Sequence, residues 1–349
     1  MVPEANAMVL KATGIPGGGI TPNANAHVND LTKSIQPQRG RIDFPKLTDL
    51  DTRLADMDRD GIDVQVISPY PGHFVYAAPP EVARDSCHMV NDHIAGMVAK
   101  HPDRLMGMGT VPLQDPGMAV TELNRTVKEL GFRGVELCTN VRGVDLTRAG
   151  LEKFFARVEE LGVMIFLHPF GTSLVGRMED HYFPNTIGHP LDSALCVGHL
   201  VFDGYLERFP ELKICIAHGG GYIPGYWGRF DHAFAHREDC RVNHQEEALG
   251  ISEEALFRHG GIRRARANTS DRYLGRRSHH ARYRLSVRHG GTGPGRLTRP
   301  DQGCQQKGYG AGSRRQCRPA AGPAGASEID GLATISAVAR FMSSTRSGI

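Results

Sequence analysis

From Asp63 to His218 the chain repeats one pattern: a short β-branched or apolar run, then a longer stretch with helical spacing. The first run is Asp63–Pro69 (DVQVISP). It follows LDTRLADMDRDG, in which Leu50, Leu54 and Met57 recur at spacings of four and three and Gly61 stands where a C-terminal cap belongs. A helix is then expected from Pro80 to Lys100, stopped by His101-Pro102, and a strand from Leu105 to Pro112. The pattern continues with a helix from Gly117 to Leu130, a strand Gly134–Thr139, a helix Leu151–Leu161 and a strand Val163–Pro169. A helix within 191–209 and a strand Leu212–His218 complete it. Such alternation builds right-handed βαβ units on a parallel sheet. The near-continuous apolar runs fit strands covered on both faces.

A doubly wound sheet would satisfy the same alternation. The barrel is favoured by what stands at the strand ends. MIFLHP puts His168 at the C-terminal end of its strand, and KICIAHGGG does the same with His218. Barrel enzymes assemble their sites at that rim, where neighbouring strand ends converge, so two imidazoles can reach one metal or one substrate. His181, His189, His199, His232 and His236 fall in helices or loops and are read as surface or packing histidines. The Gly219–Gly221 run serves a tight turn, and Cys138 is read as core.

The length of 349 residues suits a single α/β barrel. No apolar run reaches the roughly 18 residues of a membrane helix, and no secretory signal is visible in the first twenty residues. Seven cysteines, an odd number without paired spacing, point to reduced thiols and a cytoplasmic location. The net charge of +3 conceals an asymmetry. Residues 258–319 carry fifteen Arg and one Lys against Asp271 and Asp301, a local charge of +14 that leaves −11 for the rest. Apolar periodicity also stops there. A basic nucleic-acid-binding arm, a solvated disordered tail and a shifted reading frame in a GC-rich gene all produce such a stretch; the third is preferred, and nucleic acid is not an expected partner. Three regions result: an irregular segment 1–20, a barrel domain 21–257, and an irregular or disordered tail 258–349.

Six segments, RLADMDRDGIDVQVISP, KHPDRLMGMGTVPLQDP, VKELGFRGVEL, EELGVMIFLHPF, LERFPELKICIAHGGGYIPGYWGRFDHAF and HRED, together resemble the amidohydrolase-related family of aminocarboxymuconate-semialdehyde decarboxylase type. They span about Asp51 to Asp239 in the family's order. The resemblance implies a (β/α)₈ TIM-type barrel, here expected to be incomplete because the Arg-rich segment replaces its last strands. It also implies one divalent metal ion (zinc, with manganese as the alternative), a homodimer, and nonoxidative decarboxylation of an aromatic or muconate-type carboxylic acid. By the same resemblance His168 is a metal ligand, His218 the catalytic proton carrier, and Arg229 the carboxylate grip supplied by a neighbouring subunit. Phe170 and His73 are expected to face the substrate. The family's His-x-His opening falls on Asn25-Ala26-His27, so His27 keeps one metal ligand and Asn25 stands in place of the other. Asp271 is the nearest counterpart of the family's last metal ligand. A hydrolase or hydratase on a related aromatic-degradation intermediate, or an inactive barrel fragment, are the alternatives.

Overall fold

The computed structural model describes residues 2–14, 29–170 and 177–243. His27, Asn25, Asp271 and the whole Arg-rich segment lie outside them. Helices α1 (Pro3–Thr13), α2 (Asp30–Thr48) and α3 (Leu50–Asp60) precede β1 (Gln65–Ile67). Then follow α4 (Pro80–Lys100), β2 (Leu105–Gly107), α5 (Pro116–Lys128) and β3 (Gly134–Leu137). A small antiparallel hairpin, β4 (Asn140–Val141) and β5 (Val144–Asp145), leads to α6 (Glu152–Leu161) and β6 (Met164–Leu167). Helices α7 (His189–Phe202) and α8 (Tyr205–Arg208), β7 (Lys213–Ile216) and α9 (Ile223–His236) complete the described part.

Local chemistry sets these boundaries. Asp49 accepts the Thr52 N–H at 2.9 Å to start α3, and Asp115 accepts the Met118 N–H at 2.8 Å to start α5. Gly61 ends α3 in the left-handed region at φ +68°, as its position in the sequence predicts. The expected helix Pro80–Lys100 is found with those bounds, and every expected strand is present in shortened form. Pro3–Thr13 is helical and packs Ala5 and Val9 into the interior, which corrects the expectation of an irregular segment over 1–20.

Strand order decides the architecture. β1 pairs in parallel with β2, a bridge from Gly109 to Val135 links β2 to β3, and β6 pairs in parallel with both β3 and β7. The five parallel strands therefore stand side by side in chain order, with no reversal of the kind a doubly wound sheet needs. This is barrel order. Among the described residues the barrel has five of its strands.

The two faces of the strands separate as the two-residue period requires. Val135, Leu137, Ile165 and Leu167 face outward into the main core with Leu123, Phe154, Phe155, Val158 and Leu200 of α5, α6 and α7. Val66, Met106, Met108 and Met164, with Phe166 and Cys215, form a separate interior cluster. Between β2 and the helices, the buried Asn91 side chain donates to Thr110 O at 2.9 Å and to Glu122 Oε1 at 2.6 Å, and accepts the Thr110 N–H at 2.9 Å. Glu122, itself buried, takes a two-pronged contact from Arg125. This network pins α4 and α5 to the end of β2. Five cysteines among the described residues, Cys87, Cys138, Cys196, Cys215 and Cys240, are free thiols. No described helix is long and apolar enough to cross a membrane.

Glu136 is the exception on the inner face. It sits opposite Phe166 in the β3–β6 register, is 1% exposed, and its Oε2 has no hydrogen-bond partner among the described residues. Burial pushes its carboxyl up to about 8, against a smaller opposing effect of a hydrogen bond from Ser68. The folded chain thus keeps a proton that the unfolded chain releases near the ordinary value of 4.5. Stability from this group is full below that value and is lost as pH rises toward 8. Glu136→Gln removes the dependence. In thermal melts the variant is expected to gain on the unmodified chain steadily from pH 5 to pH 8, whereas a difference independent of pH would contradict a protonated buried Glu136.

Candidate active site at the barrel rim

β6 and β7 end side by side, and each delivers a histidine. The His168 N–H donates to Leu137 O at 2.9 Å, so His168 extends β6 by one residue along β3. The Ala217 N–H donates to Leu167 O at 2.9 Å and extends β7 along β6 in the same way. The rings of His168 and His218 then lie 4.9 Å apart between centroids, at 64° to one another.

Both rings are set by their local backbone. His168 Nδ1 lies 2.8 Å from Pro169 O. A carbonyl only accepts, so Nδ1 carries the hydrogen and Nε2 keeps its lone pair, which is the arrangement of a histidine presented to a metal. His218 occupies the left-handed region at φ +55°, where a non-glycine residue is strained. The three glycines after it continue at φ +65°, +84° and +63°, and a turn of that shape requires glycine. A Cβ on Gly221 would meet Pro190 O at 2.2 Å. The glycine turn therefore sits directly on the start of α7.

That contact brings in a third imidazole. His189 opens α7 immediately after a π-helical turn, Pro184–Gly188. Its ring lies 5.7 Å from that of His218 at 29°, and 6.4 Å from that of His168. His189, read from the sequence as a surface or packing residue, thus stands beside both rim histidines. The sequence offers little to find it by, because it belongs to no strand end; the only local sign is the Gly188-His189-Pro190 break at a helix start.

Burial pushes all three imidazoles down. His168 falls to about 3, through burial first and the neighbouring His218 second, and His189 falls to about 4 for the same two reasons. His218 is also lowered by burial. Neutral imidazoles are the form that binds a metal or takes up a proton. Among the described residues no group of three or more His, Cys, Asp and Glu is arranged as a complete metal centre. His27 and Asp271, the further ligands expected from the sequence, lie outside those residues.

The sequence profile of the family described as Amidohydrolase matches residues 24–245. The chain belongs to the amidohydrolase family. Among its relatives, the 2-amino-3-carboxymuconate-6-semialdehyde decarboxylase of Dictyostelium discoideum is 38% identical over 195 residues, covering 56% of this chain and 54% of the relative. A dihydroxybenzoic acid decarboxylase from Polaromonas, solved with manganese and the inhibitor 2-nitroresorcinol, is 30% identical with a TM-score of 0.50, covering 54% of this chain and 62% of that one. The 2-keto-4-carboxy-3-hexenedioate hydratase of Sphingobium is 27% identical over 206 residues, covering 54% of this chain and 58% of the relative. The chain thus spans between half and two thirds of the length of these amidohydrolase relatives.

The remaining expected site residues are placed as follows. Phe170 follows the His168 segment and packs, partly buried, on the main core. Arg229 is exposed on α9 and makes no ion pair, with Asp231 or any other acid, among the described residues. His73 stands in the turn that follows β1. It is 1% exposed, and its Nε2 accepts the Val2 N–H at 3.3 Å, so α1 closes over it. His199 bridges Asp145 and Asp203 at 3.1 and 3.2 Å, a packing role as expected.

The Gly221 contact gives a direct test of how the rim is built. Gly221→Ala adds a Cβ against Pro190 O at a left-handed φ and is expected to lower the melting temperature by on the order of 5 °C. Gly225→Ala, four residues on within α9, meets nothing within 4 Å and is expected to leave it unchanged or slightly raised. Equal melting of the two variants would contradict the packing of the turn on α7.

Proposed function

We propose that this chain is the core of a divalent-metal-dependent decarboxylase acting on an aromatic or muconate-type carboxylic acid. The observation that carries the reading is the pair of neutral imidazoles at adjacent strand ends, with His168 Nε2 left open by the Nδ1 contact to Pro169. Relatives named as decarboxylases of such acids, and manganese in the Polaromonas structure, support it.

In this reading His168 holds the metal through Nε2, with His27 and Asp271 as further ligands. A metal bound there, zinc by preference or manganese, would supply positive charge to offset the negative charge that develops on the substrate. The bond between the ring or chain carbon and its carboxylate breaks, the electron pair stays on that carbon, and a proton takes the place of the carboxylate. His218 is the group that delivers it: its imidazole, held neutral by burial, takes up a proton and passes it to that carbon. Phe170 beside His168 forms an apolar wall. Burial of the three rings keeps water from competing for the developing charge.

Arg229 is read as the carboxylate grip of a neighbouring subunit in a homodimer. Its exposure supports this, together with its placement on α9 three residues after Tyr226, which is 53% exposed. A bidentate guanidinium suits a carboxylate. His73, closed beneath α1, has no substrate contact in this scheme. A second reading, addition of water to a related unsaturated acid, is favoured by the Sphingobium hydratase relative, since the same neutral imidazoles can move protons for hydration.

The test is product analysis. The full chain, loaded with zinc or manganese, is offered 2,6-dihydroxybenzoate, 5-carboxyvanillate and an unsaturated dicarboxylic acid. Release of carbon dioxide from at least one is expected, falling at least a hundredfold in His218→Asn with metal content unchanged. Arg229→Ala is expected to raise KM. Addition of water without carbon dioxide release would overturn the first reading in favour of the second.

A further inference from the structure

We propose that His189 is a substrate-contacting residue that selects for acids carrying a second oxygen function beside the carboxylate that leaves. The proposal rests on the decarboxylase reading and deepens it: His168 is assigned there to the metal and His218 to the proton, which leaves His189 without a task.

Three observations assign one. First, the placement is built rather than incidental. The π-helical turn Pro184–Gly188 sets the start of α7, and the Gly219–Gly221 turn can approach Pro190 only because Gly221 has no side chain. Departures from regular helix of this kind occur where a side chain is aimed at a function. Second, the ring is close to both partners, at 5.7 Å from His218 and 6.4 Å from His168. Rings so near one another can address one small molecule, since a ring nitrogen reaches a partner at about 2.6–3.2 Å. Third, the polar edge of His189 is unmatched. Neither ring nitrogen has a hydrogen-bond partner among the described residues, although much of the ring is withdrawn from water. A half-buried imidazole with both nitrogens open is completed by a ligand that offers an acceptor, a donor or both. A hydroxyl offers both, and a second carboxylate offers two acceptors. An unsubstituted ring edge offers neither, and would leave the imidazole desolvated and unpaired. Selection therefore works against acids that lack the second oxygen function.

Equilibrium binding separates this role from the others. The full chain, loaded with manganese, is titrated with 2,6-dihydroxybenzoate and with benzoate, and bound manganese is measured in parallel. Two variants are compared with the unmodified chain: His189→Phe, which keeps a flat ring and removes both nitrogens, and His189→Asn, which keeps a donor and an acceptor. His189→Phe is expected to weaken 2,6-dihydroxybenzoate about tenfold or more, with benzoate binding and manganese content unchanged. His189→Asn is expected to recover part of the loss. Equal binding of 2,6-dihydroxybenzoate by His189→Phe and the unmodified chain would overturn the proposal while leaving the decarboxylase reading intact. Loss of manganese in both variants would overturn it in favour of a metal-holding role. Failure of the unmodified, manganese-loaded chain to bind either acid would overturn the decarboxylase reading itself.

Discussion

The ladder that joins β3, β6 and β7 continues past the ends of the strands. The His168 N–H reaches Leu137 O and the Ala217 N–H reaches Leu167 O, each at 2.9 Å, before the backbone turns away. Everything at the rim depends on these two hydrogen bonds, because they fix where the chain leaves the barrel and so where the two imidazoles emerge. A parallel ladder is suited to this. Its strands all end at the same edge, so side chains distant in sequence converge without help from long loops. His168 and His218 are fifty residues apart in the chain and 4.9 Å apart between ring centroids.

Burial then decides their chemistry. The ordinary imidazole would be partly charged near pH 6.5, but withdrawal from water lowers His168 to about 3 and His189 to about 4. A cluster of three charged rings would repel itself and any cation; neutral rings do neither. The same dielectric effect runs in the opposite direction at Glu136, where burial opposite Phe166 holds a carboxyl protonated. The barrel interior thus favours the uncharged form of whatever titratable group it receives.

How far the sequence discloses this structure depends on the range of the interactions concerned. The repeated strand and helix patterns from Leu50 to Ile216 are local, and Gly61, Asp115 and the His101-Pro102 stop act within a turn of their own position. They were readable, as were His168 and His218, because a strand end marks itself by the Pro or Gly that follows. His189 was not readable. Its place depends on a contact between Gly221 and Pro190, thirty-one residues apart, and on a π-helical turn that no short-range pattern signals. α1 escaped for a related reason: its burial comes from packing on α4 and on His73, long-range partners that turn an unpromising N-terminal segment into a lid. The same contact buries His73 in the turn after β1. The Arg-rich segment, His27 and Asp271 lie outside the described residues.

In the proposed function, an amidohydrolase-family barrel presents His168 Nε2 as a metal ligand. X-ray diffraction at the manganese or zinc absorption edge, on crystals of the full chain grown with that metal, tests it most directly. The account predicts an anomalous peak at about 2.0–2.2 Å from His168 Nε2, on the side of the ring away from Pro169 and next to His218. A peak elsewhere, with His168 Nε2 bonded to a protein group instead, would contradict it.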